Sequence, residues 1–321
     1  MRRFIAEFEK QSYTQIIFPH KNTDWNEYLQ EAQECFINII NNIRKFQTCV
    51  VICHNASEVK KHFTDTTQLI FKEYETDDTW ARDCSCLCIE NKGTTQLLNF
   101  KFNAWGNKFE AKKDNAMSEY LYPYAQKIDF VLEGGGVESN GDTLLLTTSA
   151  TMHNPNRNSK LSSKQITTQL KEYFGVKEIL YLKHGYLAGD DTDSHIDTLA
   201  RFVSQDTIMY VQSKDNTDEH FIELRCMEKE LQNFAQSYQL KLIALPMPDA
   251  IFYEDERLPA TYANFLFING AILVPTYGVK QDEIALEIFR TNFPSRKIIA
   301  IDCSVLIRQH GSLHCVTMNF V

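Results

Sequence analysis

The chain has 321 residues, 43% hydrophobic and 23% charged, enough to bury a large core in one big domain or two ordinary ones. A net charge of −9 disfavours nucleic acid as a partner and suits a cationic one. The first residues lack an apolar leader and no stretch nears the ~18 apolar residues of a membrane span. Nine cysteines then read as reduced thiols, so the expected setting is cytoplasmic.

Residues 14–20 predict a first strand ending at Pro19. Trp25, Tyr28, Leu29, Ala32, Phe36, Ile39, Ile40 and Ile43 then recur at three- and four-residue steps. That is one apolar face of a helix, with Thr23 or Asp24 as its cap. Strands are expected at 48–53, 68–74, 84–90 and 95–102, with a short helix at 57–63. A helix over 112–126 breaks near Pro123. Strands at 128–132 and 142–148 are joined by Glu133-Gly-Gly-Gly136 and Asn140-Gly141, a hairpin-type turn. The polar stretch 154–163 reads as a surface loop and, on composition, a candidate lid. Helix 163–174 and strand 178–183 follow, then strands at 199–204 and 207–212 and a helix over 219–238. Strands at 241–245, 263–268 and 271–275, the last two around Asn269-Gly270, lead to helix 282–293. Strands at 297–301 and 313–320 close the chain.

Helix, strand, then hairpin or second strand recurs at intervals of roughly 60 residues, without shared residues between the units. No linker or low-complexity segment interrupts it. A single domain with radial repetition fits this better than two domains, and it brings strand ends together on one axis.

Several segments carry groups that could do chemistry. Cys315 lies on the terminal apolar run, where a buried structural cysteine is the plain alternative. His314 beside it would face the other way on a strand. His195 and Asp197 are two apart, so on an extended segment both point one way. A solvated acidic loop fits the same residues. Asp83 follows Trp80 and Arg82, and Glu133 precedes three glycines that permit close backbone approach to a ligand but do not form G-x-G-x-x-G. Trp105, in Asn103-Ala-Trp-Gly106, is either a pocket wall or a packed aromatic. Cys84, Cys86 and Cys88 would share one strand face as small buried hydrophobes. Their spacing is not that of a zinc site, and no metal or cofactor is expected.

Read together, the segments resemble a family. Ala6-Glu-Phe-Glu9, Trp80-x-Arg-Asp83, Phe102-Asn-Ala-Trp-Gly106, Leu132-Glu-Gly-Gly135, Asp193-x-His-x-Asp197, Asn269-Gly270 with Val274-Pro275, and His314-Cys315 are similar, in this order, to the agmatine deiminase family. That family is allied to bacterial-type peptidylarginine deiminases and the wider guanidino-group-modifying enzymes. The resemblance spans nearly the whole chain and implies a five-bladed α/β propeller forming one catalytic domain over residues 1–321. It implies Cys315 as nucleophile, His195 as general acid/base, Glu133 as the group that orients His195, and Asp83 and Asp197 as the carboxylates that grip the guanidinium. Trp80, Trp105 and Gly135 would line the substrate. The implied reaction is hydrolysis of agmatine to N-carbamoylputrescine and ammonia, without cofactor. A homo-oligomer is left open. Departures from the family pattern are Ser85-Cys86 for Gly-Pro, Ser194 for a glycine, Gln309 and His310 within a glycine run, Ser312 for an Asn, and Ile16-Ile17-Phe18-Pro19 for a Trp-rich stretch. None removes a catalytic group.

The chemistry agrees with the residue types. A guanidinium is planar, with N–H donors that two carboxylates can match. Its charge would promote the Cys315 thiolate on binding. Hydrolysis of arginine or peptidyl-arginine and amidino transfer are related alternatives. A guanidinium-binding protein without turnover is another, but it would leave the thiol without a use.

Overall fold

A computed structural model describes residues 2–321. Five small sheets follow one plan: a short antiparallel pair, then a helix, then a third strand parallel to the second. In chain order the pairs are Leu87–Asn91 with Thr94–Lys101, Val137–Ser139 with Leu144–Thr148, Ala200–Ser204 with Thr207–Gln212, and Leu266–Ile268 with Ala271–Thr276. Helices Lys112–Leu121, Ser163–Phe174, Phe221–Tyr238 and Gln281–Asn292 lead to the parallel strands Gln126–Val131, Glu178–Leu182, Lys241–Pro246 and Lys297–Asp302.

The fifth unit joins the two ends of the chain. Thr317–Phe320 pairs antiparallel with Tyr13–Ile17, helix Leu29–Ile43 follows, and Thr48–Cys53 and Leu69–Glu73 add in parallel. Arg2–Phe4 borders the first sheet. A short helix crossover between parallel strands is the connection such a sheet requires. Apolar residues on the inner helix faces, such as Phe36, Ile39, Leu170, Leu231 and Phe289, are fully buried against the sheets.

The structure corrects several sequence expectations. The Trp25–Ile43 periodicity is real, but Asp24–Tyr28 is 3-10 and the α-helix begins at Leu29. The Thr23 hydroxyl donates to the His20 carbonyl at 2.6 Å and does not cap the helix. Residues Ala81–Cys84 are helical and the strand starts only at Leu87, so Cys84, Cys86 and Cys88 do not share one strand face. Strands Gln126–Val131 and Leu144–Thr148 are not hairpin partners. The first pairs in the preceding sheet, and an extra strand, Val137–Ser139, forms the hairpin around Asn140-Gly141. In the polar stretch 154–163, Pro155–Asn158 is helical and Arg157 is buried, because its guanidinium is drawn in by Glu133; this overturns the surface-loop reading for that part. The last strand begins at Thr317, so His314 and Cys315 lie in the turn before it and are free to face the same side.

Candidate active site

The site is assembled from equivalent places in the five units. Asp83, Glu133, His195 with Asp197, Asn264 and Cys315 each sit in the turn just before a unit's short, buried first strand. All six are buried. Strand ends that converge in this way bring residues remote in sequence to one place.

Gly135 marks the point of convergence. A Cβ built on it would lie 2.7 Å from His195 Nδ1, 2.9 Å from Asp197 Oδ2 and 3.0 Å from Asp83 Oδ1. No side chain fits there, which is why the backbone can approach so closely. The Gly135 N–H donates to Asp83 Oδ1 at 2.9 Å. Trp105 Nε1 donates to the other oxygen, Oδ2, at 2.9 Å. Trp105 holds φ of +53°, a left-handed conformation that costs a non-glycine residue about 1 kcal/mol or more, and such strain clusters at functional sites. His195 and Asp197 reach the same point through a 3-10 turn, Ile196–Thr198, and not through the extended segment expected.

Asp197 joins the thiol to the imidazoles. Its Oδ2 is 3.9 Å from Cys315 Sγ and 2.7 Å from His314 Nδ1. His314 Nε2 is 2.5 Å from Glu7 Oε2, and Arg82 and Arg201 each hold Glu7 at 3.1 Å. With an acceptor on each ring nitrogen, His314 has the geometry of an imidazolium. Burial, then Arg201 and Arg82, lower the His314 pKa, and Glu7 and Asp197 oppose them. Glu133 takes Arg157 Nε on both oxygens at 2.9 Å, while His195 Nε2 lies 3.9 Å away. Arg157 also binds Asp193 at 2.7 Å, tying Glu133 to the loop that carries His195.

Trp80 packs its ring under Gly311, where a Cβ would come within 2.1 Å of it, and its indole N–H goes to Asp78. It therefore supports the turn leading to Cys315, whereas Trp105 bonds the Asp83 carboxyl group directly.

The electrostatics follow from burial. Desolvation and the Asp197 charge push Asp83 up to about 8. Burial also pushes Asp197 up, but the His314 hydrogen bond and charge outweigh it and hold Asp197 below its ordinary value. Burial raises Glu133 more than Arg157 lowers it. Burial depresses His195 to about 3 against the opposing pull of Asp197, so the ring is neutral. Burial, then Asp197 and Asp83, push the Cys315 thiol well above its ordinary value. Asp197 Oδ1 is buried beside the Gly135 convergence and has no hydrogen-bond partner, and His195 Nε2, on the Glu133 side of the ring, has none either. An orphaned carboxylate oxygen such as Asp197 Oδ1 is what a hydrogen-bonding cation would satisfy.

Sequence reasoning did not single out Asn264, Arg157, or the tie from Glu7 through His314 to Asp197. A signal for Asn264 was present: four units already supplied a polar residue before the first strand, and the fourth in chain order lacked one.

Repeated strand–helix units around a buried anionic centre define a mixed α/β protein, and comparison with known proteins gives it a family. The chain belongs to the Porphyromonas-type peptidyl-arginine deiminase family, which it matches over residues 3–320. A C. jejuni agmatine deiminase, solved as a cysteine-to-serine variant with substrate bound, is 41% identical with a TM-score of 0.96, covering 100% of this chain and 96% of its own. A Vibrio parahaemolyticus relative that bears the agmatine deiminase name provisionally is 30% identical over 347 residues, covering 98% of this chain and 96% of its own. An amidinotransferase of Microseira wollei shares the fold at a TM-score of 0.53 and 12% identity, covering 99% of this chain and 97% of its own.

Proposed function

We propose that this protein is an agmatine deiminase, hydrolysing agmatine to N-carbamoylputrescine and ammonia, within one catalytic domain whose five units stand radially as propeller blades. The observation that carries this is the convergence of His195, Asp197 and Asp83 on Gly135, with Cys315 Sγ 3.9 Å from the same Asp197 oxygen. Two carboxylates can match the N–H fork of a guanidinium, and in a dry site they fix its plane and offset its charge. Bound cation in turn favours ionised Asp83 and the Cys315 thiolate. His195, neutral when the site is empty, accepts the thiol proton as sulfur forms a bond to the guanidinium carbon. It gives that proton to the departing nitrogen, which leaves as ammonia as the C–N bond breaks, and a cationic Cys315 thiouronium remains. Water then attacks the same carbon and His195 takes one of its protons; the C–S bond breaks to return the Cys315 thiolate, and the remaining hydroxyl proton passes to solvent as the urea product is released. Glu133, fixed by Arg157, lies 3.9 Å from His195 Nε2, on the side of the ring remote from Asp83, where its charge would favour the imidazolium that forms during turnover.

Agmatine is favoured over peptidyl-arginine because every cage group is buried, which suits a small substrate. Asp191 lies in the loop before His195 and suits an amine tail better than a carboxylate, whereas the Asp190 carboxylate is taken up by Thr192 and Ser194 of the same loop. Among the described residues no helix is long and apolar enough to cross a membrane. Ammonia release from agmatine, arginine and an arginyl peptide tests the reading, each with wild type and Cys315→Ala. Turnover of agmatine alone, lost in the variant, is expected. A variant with wild-type turnover would refute the nucleophile, and turnover of arginine instead would refute the substrate.

A further inference from the structure

Asn264 is fully buried, and its side-chain amide lies alongside the Cys315 sulfur, with Nδ2 at 3.3 Å and Oδ1 at 3.5 Å. Which end of an amide faces a neighbour is fixed by the hydrogen bonds around it. Here they agree. Oδ1 accepts from the His314 N–H at 2.8 Å and the Cys315 N–H at 3.4 Å, two donors that only an oxygen satisfies. Nδ2 donates to the Asp197 carbonyl at 3.3 Å, an acceptor that only the NH2 satisfies. The amide is therefore clamped by backbone on both sides, and one N–H is left aimed at the sulfur. It also occupies the fourth unit's equivalent of the positions held elsewhere by Asp83, Glu133, His195 with Asp197, and Cys315.

The surroundings of the sulfur call for such a donor. Asp197 and Asp83, the acidic groups facing it, repel a thiolate. His314, whose ring is turned to Asp197 and Glu7, is spent on carboxylates. An amide bonds both states of the sulfur: the thiol S–H can donate to Oδ1, and the thiolate can accept from Nδ2. Only the second interaction is charge-assisted, and hydrogen bonds to an ion are roughly twice as strong as neutral ones. The amide thus favours the charged form without moving.

We propose that Asn264 is a catalytic residue, donating its amide N–H to the Cys315 sulfur and stabilising the thiolate that attacks the substrate. This rests on the nucleophile assignment above but not on the identity of the substrate. It acts on sulfur before and during attack, and again when the C–S bond breaks and the thiolate returns as leaving group. Asn264 touches the sulfur and, of the cage, only the Asp197 backbone carbonyl and neither carboxylate, so its loss falls on kcat more than on KM.

The test uses alkylation of Cys315 by iodoacetamide at pH 8 in the free full-length enzyme, followed by mass spectrometry at that cysteine. The rate tracks the thiolate fraction, which falls tenfold for each unit the thiol pKa rises. Asn264→Asp keeps the size and the acceptor for both backbone N–H groups but replaces the donor by an acceptor. Alkylation at least tenfold slower than wild type, with kcat on agmatine down at least as far and KM within threefold, is expected. Asn264→Ala, which removes donor and acceptor without adding a charge, should also slow alkylation at least tenfold and is the deciding variant wherever it folds; the Asp variant, whose new carboxylate itself repels a thiolate, decides against the proposal if alkylation is not slowed. Alkylation less than tenfold slower than wild type in the deciding variant overturns the proposal, even if turnover falls. Failure of Cys315→Ala to abolish activity would instead overturn the nucleophile assignment, and the two failures are read in different proteins.

Discussion

Asp83→Asn should make the protein more stable while removing its activity. The folded Asp83 carboxyl is pushed from 3.8 to about 8 by burial and Asp197, whereas the unfolded chain releases the same proton near its ordinary value. Between those values the folded state holds a proton that the unfolded state has lost, so stability falls as pH rises through the window. At 1.36 kcal/mol per unit the wild type is destabilised by about 4 kcal/mol at pH 7 and by less than half of that at pH 5. Asparagine carries no such term. It does leave one of two donors, Trp105 Nε1 or the Gly135 N–H, facing an NH2 group, at a cost of about 1–3 kcal/mol. The variant should therefore exceed wild type by about 1–3 kcal/mol at pH 7, and the advantage should shrink by about 3 kcal/mol on going to pH 5. His195, held near 3, adds its own pH dependence to both proteins and cancels in the difference. Urea unfolding of both proteins at pH 5 and pH 7 measures the two gaps, and agmatine turnover measures the loss of function. A stability gap that does not change with pH would show that Asp83 ionises normally in the empty site, and the account of a desolvated cage would fall.

Two other substitutions probe the supports of the site. Arg157→Ala leaves the Glu133 carboxylate buried without its bidentate partner, so a loss of about 3–5 kcal/mol in urea unfolding is expected, together with lower turnover; a loss under 1 kcal/mol would show that the pair contributes nothing net. Ser194→Gly relieves a left-handed serine at φ +61° and should raise stability by about 1 kcal/mol, since the strain of about 1–2 kcal/mol exceeds the extra chain entropy of glycine; a drop in the urea midpoint would mean that the loop is not strained there.

Much of the molecule could be read from local pattern. The helix ending at Ile43 followed from apolar spacing, because one buried face at a 3.6-residue period has few other solutions. Helix Ser163–Phe174 followed likewise, and it starts with a capping box between Ser162 and Gln165. The ordered set Asp83, Glu133, His195, Asp197 and Cys315 was legible through family resemblance, since chemistry restricts residue type more tightly than packing does.

Other features depended on which segments meet. Nothing near residue 157 in sequence indicates that a polar stretch will be drawn inward, because its partner Glu133 lies in another turn. Glu7 and His314 stand at opposite ends of the chain and meet because the last strand pairs with the first long strand to complete the fifth sheet. Asn264 reads as an ordinary strand residue until five strand ends are brought together. Sequence by itself determined the residue types and the repeated helix–strand period, which are local properties of side-chain volume, polarity and spacing. Only tertiary structure decided which charges face one another, whether a carboxyl stays neutral, and which amide points at the sulfur, because those energies depend on distance and on the exclusion of water.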